Sequence, residues 1–463
     1  MPALLDTPLT AAPPLSGRPD GKGAEATPAT AAPAPPAPRD RFIPVSRYGL
    51  RAKLIAWLAE DGGDQRAFGR ALDCLAAWRR QAYRKRLLDL IEDYLPFSPD
   101  SDTASLSELD EAGLATARAE FIEGVERLLV QANYVRLSQE DLQRILVERS
   151  PHGLSLKVDL GDFDDLLLYY RGTAVEVQEE RNPWRLYLTK DRCEVPLFQR
   201  LFLLLKLKPA EQRGAEIAAA TGVDLARAVK IARKRREHLP TGVSSGKIYV
   251  KVFKRIPQVD LEMLFPNTRI AFRPFDKLKL CVTAGGGTAA GVAGTATKLL
   301  AATNPFTLAI ALAGLSAVVF RQVMGFFNTR NRYMMVLAQN LYFCSLANNH
   351  GALTLIADNA EEEDVKEDML LYAFLARAPS HSYALPTVRD DIARFLKGLC
   401  GASVSYDAED ALRRLTEDGL VRADSDGTLT AVPPEEARAH LDVMWDRLLD
   451  VDTLDRAASS GTA

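Results

Sequence analysis

From Arg41 to about Arg149, apolar residues return every three or four positions, in runs such as LRAKLIAWLAE, FGRALDCLAAWRRQAYRKRLLDLIEDYL and GLATARAEFIEGVERLLVQANYV. That is the period of one helix face, so residues 41–150 read as a helical region. In LSQEDLQRIL, Ser138 stands three residues before Asp141, the signature of a capped helix start. Between Gly153 and Leu207 the period shortens. LSLKVDL, DLLLYYRGTAVEVQEE and WRLYLTKDRCEV are short apolar runs rich in β-branched and aromatic residues, which predicts strands with a hairpin turn at Arg171-Gly172. KIYVKVF (Lys247 to Phe253) and TRIAFR (Thr268 to Arg273) predict two more. Residues 151–276 are therefore expected to form an α+β domain with a mostly antiparallel sheet.

Within it, AEIAAATGVDLARAVKIARKRREHLP carries a small residue at Ala218, a turn glycine at Gly222, then Val223 and Ile231, the spacing of a helix-turn-helix. Its second helix ends in Lys230, Arg233, Lys234, Arg235 and Arg236, candidates for contact with phosphate or anionic lipid. Base-reading polar residues are sparse on that face, so a two-helix insertion with a solvated basic end is the simpler expectation.

The stretch CVTAGGGTAAGVAGTATKLLAATNP (Cys281 to Pro305) imitates a dinucleotide fingerprint, with Gly285, Gly287 and Ala290 as G-x-G-x-x-A. Such a site needs an acidic residue some twenty positions on, and no Asp or Glu occurs from Lys277 to Ala357. A Walker A loop fails as well, because Thr297 precedes Lys298. A membrane hairpin over residues 277–327 is the expectation instead. Leu280 to Thr297 and Leu299 to Phe320 are uncharged, and Asn304-Pro305 breaks the helix between them. Arg273, Lys277 and Lys279 flank one end and Arg321, Arg330 and Arg332 the other, placing both termini on the cytoplasmic side. Gly287, Ala290, Gly291 and Gly294 form a small-residue stripe for close helix packing, which predicts homo-oligomers through the hairpin. Whether residues 280–302 cross the bilayer or only dip into it stays open at this point.

Composition adds limits. Among 463 residues the net charge is −3, so any nucleic-acid or membrane-surface argument must be local. Five cysteines (Cys74, Cys193, Cys281, Cys344, Cys400) and five histidines are scattered without metal-ligand spacing, which predicts reduced thiols and no metal or cofactor. Residues 1–40, rich in Ala and Pro, and residues 453–463 read as disordered tails. The first tail has neither signal-peptide nor transit-peptide character.

Two motifs flank the predicted hairpin. Before it, KVFKRIPQVDLEMLFP carries Phe253, Lys254, Ile256, Pro257, Asp260, Leu261, Glu262 and Pro266. After it, NLYFCSLANNHGALTLIADNAEEEDVKEDMLLYAF carries Leu341, Tyr342, Asn349, Gly351, Leu353, Ala360, Glu361, Glu362, Lys366, Glu367 and Tyr372. The pair, spanning roughly Phe42 to Leu449, resembles the transmembrane protein 143 family, whose shared domain has no known function. The resemblance implies two membrane spans and no particular activity. Animal members are thought to be mitochondrial; the tail here lacks a transit pattern, so a bacterial inner membrane is the expected location.

Physically, Pro257 should stop a strand and Asp260 start a helical turn. Within the helical segment 328–378, Asp358 should cap a helix start, with Glu361 and its neighbours in the dipole-favoured first turn. NNHG (Asn348 to Gly351) should close a preceding helix in a left-handed turn. His350, Glu361 and Glu362 are the sole polar set suggesting an enzyme, and they lack an evident nucleophile or acid partner. Residues 379–452 alternate helix, helix, strand pair and helix, a winged-helix-like domain whose ADSDG turn (Ala423 to Gly427) is acidic, which favours protein contact. The combined expectation is a mostly helical, multidomain α+β protein. It would be a membrane-anchored, non-enzymatic scaffold or interaction protein, with a peripheral nucleic-acid-binding regulator as the alternative.

Overall fold

The structure, a computed structural model, describes residues 42–60, 63–101, 110–147, 155–181, 190–237, 239, 242–266, 269–271, 341–377, 383–401, 404 and 406–448, together with 316, 320, 321, 324 and 335. The chain is a mostly helical α+β protein with an antiparallel sheet.

Four helices come first: α1 (Arg47–Ala59), α2 (Gln65–Tyr94), α3 (Glu111–Gln131) and α4 (Gln139–Val147). Their starts follow local chemistry. Ser46, Asp64 and Asp110 each accept a backbone N–H of the first turn. At α4, Ser138 Oγ accepts from the Asp141 N–H at 3.0 Å and donates to the Asp141 carboxylate at 2.6 Å, the capping expected from sequence.

The central sheet has the order β1-β3-β4-β5-β7, built from β1 (Val135–Arg136), β3 (Phe163–Arg181), β4 (Lys190–Leu207), β5 (Ile248–Pro257) and β7 (Ser345–Asn348), each pair antiparallel. A separate pair joins β2 (Ser155–Lys157) to β6 (Arg269–Ala271). Leu201 to Leu204 of β4 are fully buried, since both sheet faces are covered and neither tolerates polar alternation. The turn expected at Arg171-Gly172 is not one. β3 runs straight through, and Gly172 takes a φ of +72° inside the strand, where a Cβ would meet the Gln199 side chain at 2.8 Å.

The helical pair after β4 is α5 (Ala210–Thr221) and α6 (Leu225–Arg236). Gly222 ends α5 in the left-handed region at φ +69°, and the Asp224 side chain caps α6. The close contact is made by Gly214, not Ala218: a Cβ on Gly214 would lie 2.5 Å from Val229 Cγ2.

β5 stops at Pro257, and a 3-10 turn, Gln258–Leu264, follows with Asp260 in its first turn. Then comes α7 (Asn349–Arg377), which begins at Asn349 rather than at Asp358. Asn349 is left-handed (φ 45°) as expected of NNHG, but it closes strand β7 instead of a helix. Its Oδ1 accepts from Val250 N at 3.0 Å and its Nδ2 donates to Asp100 at 2.5 Å, which holds the bend. Asp358 is therefore mid-helix, and the carboxylates after it cannot act as first-turn caps.

The carboxyl-terminal elements are α8 (Leu385–Cys400), α9 (Ala408–Glu417), β8 (Val421–Ala423), β9 (Leu429–Ala431) and α10 (Pro434–Asp446). They share one core with α1, the first half of α2 and the second half of α7, through Leu50, Leu72, Met369, Leu371, Ile392, Leu415 and Leu441. A second core joins the end of α2, α3, one sheet face and the start of α7. A third covers the opposite sheet face with α4 and the 3-10 turn. Helices α2 and α7 thus run through two cores, and charged residues lie on them where the cores meet.

The membrane hairpin expected over 277–327 is corrected, and with it the inner-membrane location. Among the described residues no helix is long and apolar enough to cross a membrane. The long helices α2 and α7 are interrupted by charge, including Arg79, Arg80, Glu363, Asp364, Lys366 and Asp368. Gly287, Ala290, Gly291, Gly294, Arg273, Lys277, Lys279, Arg330 and Arg332 lie outside the described residues, while Arg321 is helical and exposed. The terminal tails also lie outside them.

Candidate functional site

Helix α7 carries Glu361, Glu363, Asp364, Lys366, Glu367 and Asp368 through the interior, and each meets a partner from elsewhere in the chain. Glu363 accepts the Ile43 N–H at 2.9 Å, across 320 residues of sequence. Lys366 Nζ donates to Ile43 O and to Glu363, both at 2.8 Å, so the segment before α1 is clipped onto α7. Glu361 accepts from Arg47 at 2.8 Å and from Arg80 at 3.1 Å.

Deeper lies a cluster centred on two guanidiniums. Arg79 reaches Asp368 at 2.8 Å and Asp418 at 2.6 Å. Arg414 reaches Asp368 at 2.8 Å, Asp364 and Glu367 at 3.1 Å, and Asp410 at 2.7 Å. Tyr83 donates to Asp364 at 2.5 Å, Trp78 to Asp418 at 2.9 Å and Asn133 to Glu367 at 3.4 Å. Asp364, Glu367, Asp368 and Asp418 are buried against two cations, so not every carboxyl can ionise cheaply in a medium this dry. Burial pushes Glu367 up to about 8 and Asp364 up to about 6, and it raises Asp368 too, in each case against the pull of Arg414. Burial also works against the Arg414 charge, but Asp368, Asp364 and Glu367 outweigh it and hold the guanidinium protonated.

Asp364 and Glu367 form one wall of a cleft of about 790 Å³. Its other walls come from α3 (Glu123, Glu126, Arg127), from Asn133 and Tyr169, and from the start of α9 (Asp407, Glu409, Asp410, Arg413). Arg413 is held by Asp410 at 2.5 Å, and Tyr169 donates to Glu126 at 3.0 Å. Carboxylates outnumber guanidiniums on this lining, so the cleft concentrates negative potential between low-dielectric walls. Among the described residues, no group of acidic, histidine or cysteine side chains has metal-binding geometry.

The residues singled out from sequence scatter across this picture. Glu361, Lys366 and Glu367 join the interior network, whereas Glu362 is half exposed and lies 3.7 Å from Lys366. Pro257 and Glu262 stand beside the third core, with Glu262 buried, and Gly351 is exposed in the first turn of α7. His350 is exposed some three turns before Glu361, roughly 16 Å along the helix, so the enzyme-like set is not assembled. In the basic row of α6, Arg233 pairs with Glu211 at 2.7 Å, Arg235 with Asp159 at 2.8 Å, and Arg236 donates to the Lys208 carbonyl. Lys230 and Lys234 remain exposed.

Arg79, Asp368 and Arg414 were not singled out from sequence. A signal existed: Asp364 and Asp368 stand one helical turn apart and lead into the apolar run MLLYAFLA, and Arg414 sits between Ala411 and Leu415 on the buried face of α9.

Residues 163–351, from the start of β3 into the first turn of α7, match a family described as a protein of unknown function (DUF3754). No solved structure matches the chain. The family description assigns no chemistry, and the likeness to the transmembrane protein 143 family rests on the flanking motifs alone.

Proposed function

We propose that the chain is a non-enzymatic interaction protein that receives a positively charged partner segment in the cleft between α3, α7 and α9. The observation that carries this reading is the charge of the lining. Glu123, Glu126, Asp407 and Glu409 stand on its walls, and the guanidiniums beside them are engaged by neighbouring carboxylates. A concave site of this size whose carboxylates outnumber its guanidiniums favours a cationic, extended ligand over a neutral or anionic one. A catalytic reading gains little from Glu367, since Arg414 and Asn133 donate to its two oxygens. The nucleic-acid alternative loses Arg233, Arg235 and Arg236 to contacts within the chain.

The test is fluorescence anisotropy with a labelled deca-arginine peptide, titrated at rising salt. The double variant Glu123→Lys/Glu409→Lys should weaken binding at least tenfold and flatten the salt dependence. The control Glu60→Lys/Glu92→Lys makes the same charge change on exposed positions away from the cleft and should have little effect. Equal losses in both variants would mean that net charge alone attracts the peptide, and the cleft assignment would fall.

A further inference from the structure

The hairpin of β3 and β4 is longer than the sheet that supports it. The two strands pair from Phe163↔Leu207 out to Arg181↔Lys190. Yet β1 covers β3 only at Tyr169 and Tyr170, and β5 covers β4 only from Leu197 to Lys206. From Val175 to Arg181 on one strand and from Lys190 to Pro196 on the other, the chain is a two-stranded ribbon. At about 3.3 Å per residue this arm reaches roughly 23 Å. Among the described residues, neither of its edges is paired with a further strand.

A two-stranded ribbon is marginal in water, and its edges carry backbone donors and acceptors that another strand can use. The two edges differ. Along β4, Glu194 carries a charge and Pro196 offers no N–H, both of which discourage strand addition. Along β3, the stretch Thr173 to Val177 has no proline and only Glu176 as a charge, itself paired with Arg255 at 3.1 Å. Val175 and Val177, on one face of this stretch, are 62% and 56% exposed, a poor state for β-branched residues in a strand.

We propose that the outer edge of β3 is an interaction surface for a second copy of this chain, paired antiparallel about a two-fold axis at Val177. An isologous contact requires the segment to be complementary to itself. This register sets Val177 opposite its own copy and pairs the backbone of residues 173–176 in each protomer with that of residues 178–181 in the other. The four valines of the two copies fall on one face, with Val177 opposite Val177 and each Val175 diagonal to the other copy's Val177. Shifting the axis to Glu176 would set that carboxylate against itself, so the charge pattern also selects the register. The result is one continuous sheet across two protomers.

The experiment is sedimentation velocity on the full chain from 1 to 50 µM, with two variants. The parent should dimerise. Val177→Lys, which places two ammonium groups at the axis without disturbing the ribbon's own pairing, should raise the dissociation constant at least tenfold at unchanged melting temperature. Val177→Cys should form a covalent dimer under mild oxidation, one that the parent, with its own cysteines, does not form. A monomeric parent at 50 µM, or a dimer indifferent to Val177→Lys and not crosslinked by Val177→Cys, would overturn the proposal.

Discussion

Replacing Glu367 by Gln offers a direct reading of the interior network. Its carboxyl has an ordinary value of 4.5 and is pushed up to about 8 in the folded chain, chiefly by burial. A group raised on folding stabilises the native state fully below its unfolded value, and that contribution is lost as pH rises through the folded value. The window therefore runs from about 4.5 to about 8, and across it stability attributable to Glu367 falls with rising pH. At ~1.4 kcal/mol per pH unit the full gap corresponds to at most ~5 kcal/mol. Asp364 and Asp368 titrate in the same cluster and share the effect, so about 2–3 kcal/mol is expected for the single variant. Gln keeps an oxygen for Arg414 and carries no charge at any pH. Denaturant unfolding at half-unit steps from pH 5 to 8.5 should show the two proteins similar at the acid end and Glu367→Gln more stable at the alkaline end. Taking the difference between them removes other groups, such as Asp159 and Asp164, where burial is outweighed by Arg213 and Lys206 and the carboxyls are held low. If Glu367 were instead an ionised partner of Arg414, the variant would be less stable throughout, by a margin nearly constant from pH 5 upward. That outcome would refute the reasoning.

Two further expectations follow from buried geometry. Arg414→Met removes the cation that reaches Asp364, Glu367, Asp368 and Asp410, and should cost about 3–5 kcal/mol in unfolding free energy, since it leaves buried carboxylates uncompensated; adding Glu367→Gln to it should recover part of the loss, and full additivity would argue against a shared network. Gly214→Ala brings a Cβ to 2.8 Å from Val229 Cα as well as against its side chain, so α5 and α6 must separate; a loss of about 1–3 kcal/mol and weaker amide protection in both helices are expected, and unchanged protection would contradict the contact.

How much could be read in advance depends on how local each determinant is. The helices of residues 41–150, the Ser138–Asp141 cap, the strands of the antiparallel sheet and the left-handed turn at Asn349 are set by short-range periodicity and side-chain to backbone bonds, and the bare sequence carries those. The hairpin turn at Gly172 was misread because a positive-φ glycine serves equally in a turn or inside a strand, and only the partner strand decides which. The start of α7 was misplaced for a related reason: Asp358 looks like a cap locally, but the helix is begun by the contacts of Asn349 with Val250 and Asp100, distant in sequence. Uncharged, glycine-rich composition suggested membrane spans, yet hydropathy alone does not distinguish lipid from any other apolar surroundings.

The interior network shows the same division most sharply. The sequence by itself determined that Asp364, Glu367, Asp368, Arg79 and Arg414 would ride on helices. Only the tertiary structure decided that they would face one another, because an ion pair between positions 46 residues apart, like Arg414 and Asp368, or 289 apart, like Arg79 and Asp368, leaves no trace in local spacing. Burial then turned ordinary carboxyls into groups that hold protons near neutral pH, since the loss of hydration depends on every segment that closes over them.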